Sequence, residues 1–270
     1  SSFERPLSEL LISEDPSKSS LFAGMTGLAA LSVATGGLSW GLGYFGQPHL
    51  LIRYMAISSV KEVKKARWIA TMWAIPGISG AFLIGIVGMG YFGEDFFIGK
   101  DPEIIMPLLA QTLLPGWLAG LLISGAVAAM MSTADSQLLV STSAISEDLG
   151  INAIKKRTES DTLLNTRIIT ILLGIFAYIV AMYSEYSGNT IFSIVSFAWS
   201  GLGSSFGPAI LLSLWWKKTT REGVISGLFT GAITTLIWGS SPYLKSIVTE
   251  RLSSFIFAFI MIIIVSKYKK

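Results

Sequence analysis

The sequence predicts an all-α membrane protein, a polytopic bundle of transmembrane helices. Of its 270 residues, 51% are hydrophobic and only 14% are charged, which is too apolar for an ordinary soluble domain of this length. Several windows of roughly 20 residues contain almost no charge, and a helix of that length crosses about 30 Å of hydrocarbon. These windows lack the strict alternation of a membrane β-strand, so helices are the remaining way to satisfy the backbone in lipid.

Seven apolar segments are long enough to cross a membrane. We predict them at about 21–56, 66–92, 108–146, 162–184, 189–216, 222–241 and 251–267. The third segment is too long for one simple crossing. We therefore expect its first turns to belong to an interfacial helix that follows Asp101 and Pro102, with a break at Pro115 and Gly116.

Basic residues cluster in alternate connections between these segments. The charged residues of the second connection are mainly acidic, and Glu185 is the one charged residue of the fourth. By the positive-inside rule, the basic connections and the C-terminus are expected to be cytoplasmic, and such short clusters do not indicate a nucleic-acid partner. The basic residues are Lys61, Lys64, Lys65, Arg67, Lys155, Lys156, Arg157, Lys217, Lys218, Arg221, Lys267, Lys269 and Lys270.

The N-terminal residues and the missing motifs narrow the possible functions. Residues 1–20 are polar and carry neither an initiating methionine nor a signal-peptide pattern, so we expect an external loop joined to a segment upstream, and hence a fragment. The absence of cysteine excludes disulfides, thiolate metal sites and cysteine nucleophiles. No His-rich metal motif, GxSxG elbow or phosphate loop is visible, so we do not expect an enzyme.

The first apolar segment concentrates poor helix formers at membrane depth. Unwound backbone survives there only when it is buried in protein or lines a cavity, so we expect a discontinuous helix whose free carbonyls and amides bind a small ion or zwitterion. The alternative is that the glycines allow close helix packing, with Gly37 and Gly41 as a GxxxG pair. The residues concerned are Gly36, Gly37, Gly41, Gly43, Gly46 and Pro48.

Three side chains of this segment recur at helical spacing. Trp40, Tyr44 and Pro48 stand at i, i+4 and i+8 and therefore fall on one stripe of a helix. Two aromatic faces and a pyrrolidine ring can wall an apolar pocket for a small solute. Alternatively, the aromatic rings are ordinary core or interface residues.

The third segment is rich in hydroxyl groups. Ala129, Ser132, Thr133 and Ser136 follow the pattern of one helix face, with Asp135 at its edge. Hydroxyl and carbonyl oxygens suit a hard monovalent cation, although the same hydroxyls also bond back to helix carbonyls routinely. An intramembrane carboxylate costs about 2.5 to 3.5 kcal/mol and is a functional candidate, unless Asp135 lies in a wet cytoplasmic vestibule.

A second segment interrupted by glycine and proline occurs near the C-terminal end of the fifth long span. It contains Gly201, Gly203, Gly207 and Pro208. Such a segment suits a helix that bends when a gate closes, and a static kink is the alternative.

Three stretches together resemble the sodium/solute symporter family, most closely its sodium/proline branch. Trp40 to His49 reads "WGLGYFGQPH" and is preceded by serine where the branch often has glycine. Met131 to Leu139 with Ser141 to Leu149, and Ser196 to Trp216, resemble two further motifs of the family in collinear order. The resemblance extends over about residues 20 to 260.

The resemblance implies a core of two inverted five-helix repeats that couples sodium entry to solute uptake by alternating access. Residues 21–216 would be the second repeat, residues 217–270 two additional transmembrane helices, and the first repeat would be absent. The expected protein is a multi-pass protein of the cell membrane that works with the missing N-terminal half. It would use Na⁺ as coupling ion, need no organic cofactor, and carry a small zwitterion, L-proline first. Another amino acid or a carboxylate solute, or a membrane sensor module, remains as an alternative.

The resemblance also assigns roles to individual residues. Ser132 and Thr133 would be hydroxyl ligands of sodium, with the Ala129 carbonyl as a third. Trp40, Tyr44 and Pro48 would contact the solute. Asp135 departs from the family pattern, where a hydroxyl residue is common, so Asp135 and Ser136 form a candidate second cation site, or Asp135 only faces water.

Overall fold

The computed structural model describes residues 24–93, 101–148, 159–188 and 190–268. These residues form helices and no strands, which confirms the all-α prediction. The predicted external loop at residues 1–20 and the basic residues Lys155, Lys156 and Arg157 lie outside the described residues. The helices are α1 (Gly27–Leu38), α2 (Trp40–Tyr44), α3 (Pro48–Met55), α4 (Val60–Phe92), α5 (Ile105–Leu113), α6 (Gly116–Ser143), α7 (Glu159–Tyr186), α8 (Ile191–Trp215), α9 (Arg221–Ser240), α10 (Pro242–Ile247) and α11 (Glu250–Tyr268).

Six of the described helices are long and apolar enough to cross a membrane. They are α4, α6, α7, α8, α9 and α11, and each coincides with one of the last six predicted segments. The first predicted segment is divided among α1, α2 and α3. Six of the seven predicted segments are therefore confirmed as long apolar helices, and the first differs from them in being divided.

A separate helix is present where the interfacial helix is predicted. A 3₁₀ turn at Pro102–Ile104 leads into α5, and Asp101 accepts a hydrogen bond from the backbone N–H of Glu103 at 2.9 Å. Pro115 then precedes the first residue of α6. Proline fixes its own backbone angle and lacks an N–H, so it is tolerated at the start of a helix and disfavoured inside one. Pro115 therefore separates α5 from α6.

Three other helix starts are capped by hydroxyl side chains, and at the start of α10 Ser241 accepts from the backbone of Leu244 at 3.4 Å. Ser59 accepts a hydrogen bond from the backbone of Glu62 at 3.3 Å at the start of α4, and Thr220 accepts one from Gly223 at 3.2 Å at the start of α9. Each satisfies an amide that has no partner within the helix. At its other end, α4 stops at Gly93, whose φ of 76° favours glycine.

The described residues form two compact units, and one of them contains α1 to α3 and α8 to α11. Its apolar core is built from α8, α9 and α11, with Ala209, Leu212 and Ile262 buried at its centre. The helix α9 approaches its neighbours closely through glycines. A Cβ on Gly227 would overlap the Ile262 side chain of α11, and one on Gly231 would overlap the Ser204 carbonyl of α8.

The helix α8 is continuous with Pro208 inside it, so the glycine- and proline-rich stretch does not break the helix, and its bending in a gate stays a prediction. Proline has no N–H, and it therefore leaves the Ser204 carbonyl, four residues earlier, without its helical donor. This carbonyl lies against Gly231 of α9, where no side chain intervenes. The Gly231 backbone of α9 therefore packs directly on the part of α8 that lacks this helical hydrogen bond.

The second compact unit contains α4 to α7. Gly88 is buried in α4, and a Cβ there would overlap Ile105 of α5. Thr142 of α6 and Thr170 of α7 share a hydrogen bond of 3.1 Å between their hydroxyls. A short π-helical turn, Ala144–Asp148, continues α6. Most apolar side chains of α4, α6 and α7 are exposed, as expected of helices whose surroundings are lipid.

The close approach of α8 and α9 gives a stability prediction. Gly231→Ala would place a methyl group against the Ser204 carbonyl and 2.8 Å from the Ser205 Cα, so we expect a loss of about 1–3 kcal/mol in the free energy of unfolding. Gly37→Ala, in α1, has nothing within 4 Å of the new methyl and should be neutral or stabilising. Chemical denaturation of the detergent-solubilised protein measures both. Equal effects of the two variants would contradict the packing described here.

Candidate functional site

The first apolar segment is interrupted twice, at Ser39 and at residues 45–47. The chain passes both points in tight turns. The N–H of Leu42 donates to the Ser39 carbonyl at 3.0 Å, and the N–H of Gly46 donates to the Gly43 carbonyl at 3.2 Å. The predicted discontinuous helix is therefore confirmed, and its breaks are compact rather than extended.

The carbonyls at these breaks are already hydrogen-bonded within the protein. The Gly43 carbonyl accepts from Gly46 N–H and also from the side-chain amide of Gln47 at 3.2 Å, and the Gly36 carbonyl accepts from the Ser39 hydroxyl at 2.6 Å. The expectation that the break leaves free carbonyls is thus wrong at these two positions. Gln47, which is 1% exposed, was not predicted from the sequence, although an uncharged polar side chain at membrane depth is a signal for such a role.

Two glycines of the segment allow close packing, but they are not the predicted pair. A Cβ on Gly43 would overlap the Trp199 ring, and one on Gly46 would overlap the backbone at Leu202 and Gly203 of α8. A Cβ on Gly37 or Gly41 would meet nothing within 4 Å. The stretch Trp40 to His49 therefore packs backbone to backbone against the stretch Ser196 to Trp216.

Trp199 joins two of the three predicted solute contacts. Its ring lies 6.4 Å from the Trp40 ring and 4.9 Å from the Tyr44 ring, the latter edge to face, and its indole N–H donates to the Trp40 carbonyl at 3.3 Å. Trp40 also lies 5.4 Å from the Phe192 ring. Tyr44 remains 56% exposed, so its ring is available to a ligand. Pro48 is half-buried and begins α3, beyond the second break.

A buried polar cluster adjoins Trp40, and it was not predicted from the sequence. Arg251, in the first turn of α11, is 8% exposed. Its Nε donates to the Ser39 hydroxyl at 3.2 Å, another guanidinium nitrogen donates to the Ser196 hydroxyl, and its Cζ lies 4.3 Å from the centre of the Trp40 ring. In the sequence, the only signal for this cluster was a charged residue at the edge of the last apolar segment.

The neighbouring Glu250 has partners of its own on α8. The Ser200 hydroxyl shares its hydrogen between the Ser196 carbonyl at 2.7 Å and the Glu250 carboxylate at 3.2 Å, and the Ser204 hydroxyl donates to the Arg251 carbonyl at 3.5 Å. Ser200 and Ser204 are 1% and 2% exposed. Serines of α8 therefore satisfy polar groups of both charged residues at the start of α11.

The predicted cation ligands lie on α6 in the other compact unit. The Ala129 carbonyl accepts hydrogen bonds from the Ser132 hydroxyl at 2.9 Å and the Thr133 hydroxyl at 3.3 Å, and Ser136 donates to the Ser132 carbonyl at 2.8 Å. Hydrogen bonds from these hydroxyls to carbonyls of their own helix were the alternative to cation binding, and they are present. They also bring three of the predicted ligand oxygens together, with Asp135 exposed nearby on the same helix.

The predicted solute contacts and cation ligands belong to different compact units. Trp40, Tyr44 and Pro48 lie in the first, and Ala129 to Ser136 lie in the second. The expectation that solute and ion bind side by side therefore stays a prediction.

The sequence model of the sodium:solute symporter family matches residues 14–231 of the chain. A high-affinity proline transporter of Bacillus subtilis is 40% identical over 256 residues, which cover 94% of this chain and 52% of that protein. Sodium/proline symporters of Haemophilus influenzae and Escherichia coli are 38% and 37% identical, covering 91% and 85% of this chain and 49% and 46% of theirs. The chain thus spans about half the length of these relatives. No solved structure matches it significantly.

The aromatic contacts around Trp199 predict unequal effects for two tryptophans of α8. Trp199→Ala removes the ring that touches Trp40 and Tyr44 and should lower the free energy of unfolding by about 2 kcal/mol, since this ring is half-buried. Trp215→Ala, at a side chain that is 74% exposed, should change it by less than about 0.5 kcal/mol. Denaturant titration of both variants in detergent checks this, and a similar loss for both would refute it.

Proposed function

Because the chain belongs to the sodium:solute symporter family, we propose that it forms part of a sodium-coupled symporter for a small zwitterionic solute, with L-proline as the first candidate. The observation that carries this proposal is the collinear match to relatives named as proline transporters, at 37–40% identity over most of the chain. The six long apolar helices agree with a multi-pass membrane protein. The basic connections support a cytoplasmic C-terminus in the cell membrane.

We assign residues 21–216 to the second inverted repeat of the transporter and residues 217–270 to two additional helices. The N-terminal half of the same transporter then supplies the first repeat. Coverage of about half of each relative supports this assignment. In this arrangement the remaining sodium ligands and the other wall of the solute pocket come from that half.

Trp40, Tyr44 and Pro48 form this chain's part of the solute pocket. Aromatic faces suit the solute in two ways, because the pyrrolidine ring packs on them and its ammonium group is attracted to the π-electrons. The shared contact with Trp199 supports this role for Trp40 and Tyr44, since it fixes both rings before the solute arrives.

Sodium is held on this chain by Ser132 Oγ, Thr133 Oγ1 and the Ala129 carbonyl oxygen. Both hydroxyls donate to that carbonyl and keep their own lone pairs for a cation, and the carbonyl itself joins the site by giving up one of these hydrogen bonds. Asp135 and Ser136 provide a candidate second cation site. Binding of the ion lowers the free energy of the solute-bound state, and by thermodynamic reciprocity the solute tightens sodium binding by the same factor.

Replacement of Trp40 tests the solute pocket. In the complete transporter, Trp40→Ala should raise the apparent KM for L-proline about tenfold, equivalent to about 1.4 kcal/mol of lost binding. Trp73→Ala, at a side chain of α4 that is 82% exposed, is the matched control and should leave KM unchanged. Sodium-dependent uptake of labelled proline measures both. Competition by other amino acids and carboxylates in the same assay tests the choice of solute.

Replacement of Thr133 tests the cation ligands. Thr133→Ala removes one oxygen ligand and should lower apparent sodium affinity about tenfold while changing solute selectivity little. Thr112→Ala in α5 removes an equivalent hydroxyl, which donates to the Leu108 carbonyl at 2.8 Å, and serves as the control. Uptake measured at varied sodium concentration distinguishes the effects of the two variants. An unchanged sodium dependence in Thr133→Ala would remove this residue from the site.

A further inference from the structure

Arg251 connects the broken segment to two other helices through one side chain. Its guanidinium bonds to Ser39 at the first break, lies over the ring of Trp40, and bonds to Ser196 of α8. Ser39 is 2% exposed and is the residue that separates α1 from α2. The first residue of α2, Trp40, therefore lies between the break and a buried cation.

All hydrogen-bond partners of the Arg251 guanidinium are neutral, while the adjacent Glu250 carboxylate interacts with it electrostatically from a greater distance. Among the described residues no carboxylate oxygen lies within 4.0 Å of its guanidinium, and the adjacent Glu250 accepts instead from Ser200. Taking a guanidinium out of water is costly, and an apolar side chain of similar volume would stabilise the fold at least as well. Packing alone therefore gives no reason for arginine at this position.

The geometry of the contacts indicates what the arginine does. A guanidinium is planar and rigid, so bonds to Ser39 and Ser196 fix the plane that lies over the indole. Ser39 at the break and Ser196 on α8 define the position of the guanidinium. The guanidinium in turn limits the rotation of Trp40 about the break. A lysine ammonium could retain the charge but could not make all three contacts at once.

We propose that Arg251 is a positioning residue for the solute pocket, holding the Ser39 break and the Trp40 ring in the arrangement that receives the solute. This inference rests on the proposed function for its effect on transport, but the positioning of the break is independent of it. Arg251 acts through Trp40 and is not itself assigned a contact with the solute.

Transport kinetics of the complete protein provide the first test. Arg251→Met keeps an aliphatic side chain but removes all donors, so the KM for L-proline should rise about tenfold while Vmax per transporter at the membrane stays within about twofold. Arg251→Lys should recover part of the loss, to about a threefold rise. Arg221→Met, at an exposed arginine at the start of α9, is the matched control and should behave as the unmodified protein.

A double-mutant cycle tests whether Arg251 acts through the break. Ser39→Ala removes one acceptor of the guanidinium and should raise KM by itself. If the two residues act through one contact, Ser39→Ala should add little to the effect of Arg251→Met. Should Arg251→Met fail to reach the membrane, Ser196→Ala, which removes only the α8 acceptor, takes its place in the cycle.

A labelling experiment tests the positioning without transport. These 270 residues contain no cysteine, so one introduced thiol reports alone once any cysteine elsewhere in the complete transporter is replaced by serine. Gly41→Cys, next to Trp40, has nothing within 4 Å of the new Cβ and should react with N-ethylmaleimide at least about threefold faster or slower when Arg251 is replaced by methionine. Gly77→Cys in α4 also has open space and should react at an unchanged rate.

The outcomes separate the two proposals. An unchanged labelling rate at Gly41→Cys together with an unchanged KM would overturn the role of Arg251, as would a loss confined to Vmax in Arg251→Met or, where that variant does not reach the membrane, in Ser196→Ala. If the unmodified transporter shows no sodium-dependent proline uptake, the proposed function fails. The labelling rates then still decide whether Arg251 positions the break.

Discussion

The structure around the candidate solute site depends on one constraint, which is that polar backbone groups at membrane depth must find partners within the protein. The first apolar segment meets this constraint at two breaks. Tight turns use the nearest amides, Gln47 covers the Gly43 carbonyl, and Ser39 covers the Gly36 carbonyl. A broken helix is thereby kept compact, and its aromatic side chains take fixed positions.

Close backbone contact follows from the same constraint. Gly43 and Gly46 let α2 and the second break approach α8 so nearly that Trp199 fits beside both Trp40 and Tyr44. Larger residues at these glycines would push the helices apart and separate the rings. The glycine-rich motif and the motif of α8 therefore form two sides of one contact.

Local pattern was sufficient to predict most of the fold. Hydropathy located the long helices, and Pro115 with Gly116 located the start of α6, because these signals act within a few residues. Arg251 could not be predicted in the same way, since Ser39 lies 212 residues away and no spacing rule relates them. The contact of Ser204 with Gly231 beside Pro208 is likewise beyond a local pattern, because it joins two helices.

The two groups of candidate ligands satisfy their polar atoms in different ways, and this difference bears on their roles. At the break, hydroxyl, amide and guanidinium groups bond within the protein and leave aromatic faces for a ligand. On α6, Ser132 and Thr133 each spend one hydrogen on the Ala129 carbonyl and keep exposed oxygen lone pairs. Aromatic faces favour an apolar or cationic organic group, whereas clustered neutral oxygens favour a small hard cation. The chemistry of each group therefore fits one of the two species that a sodium-coupled symporter carries.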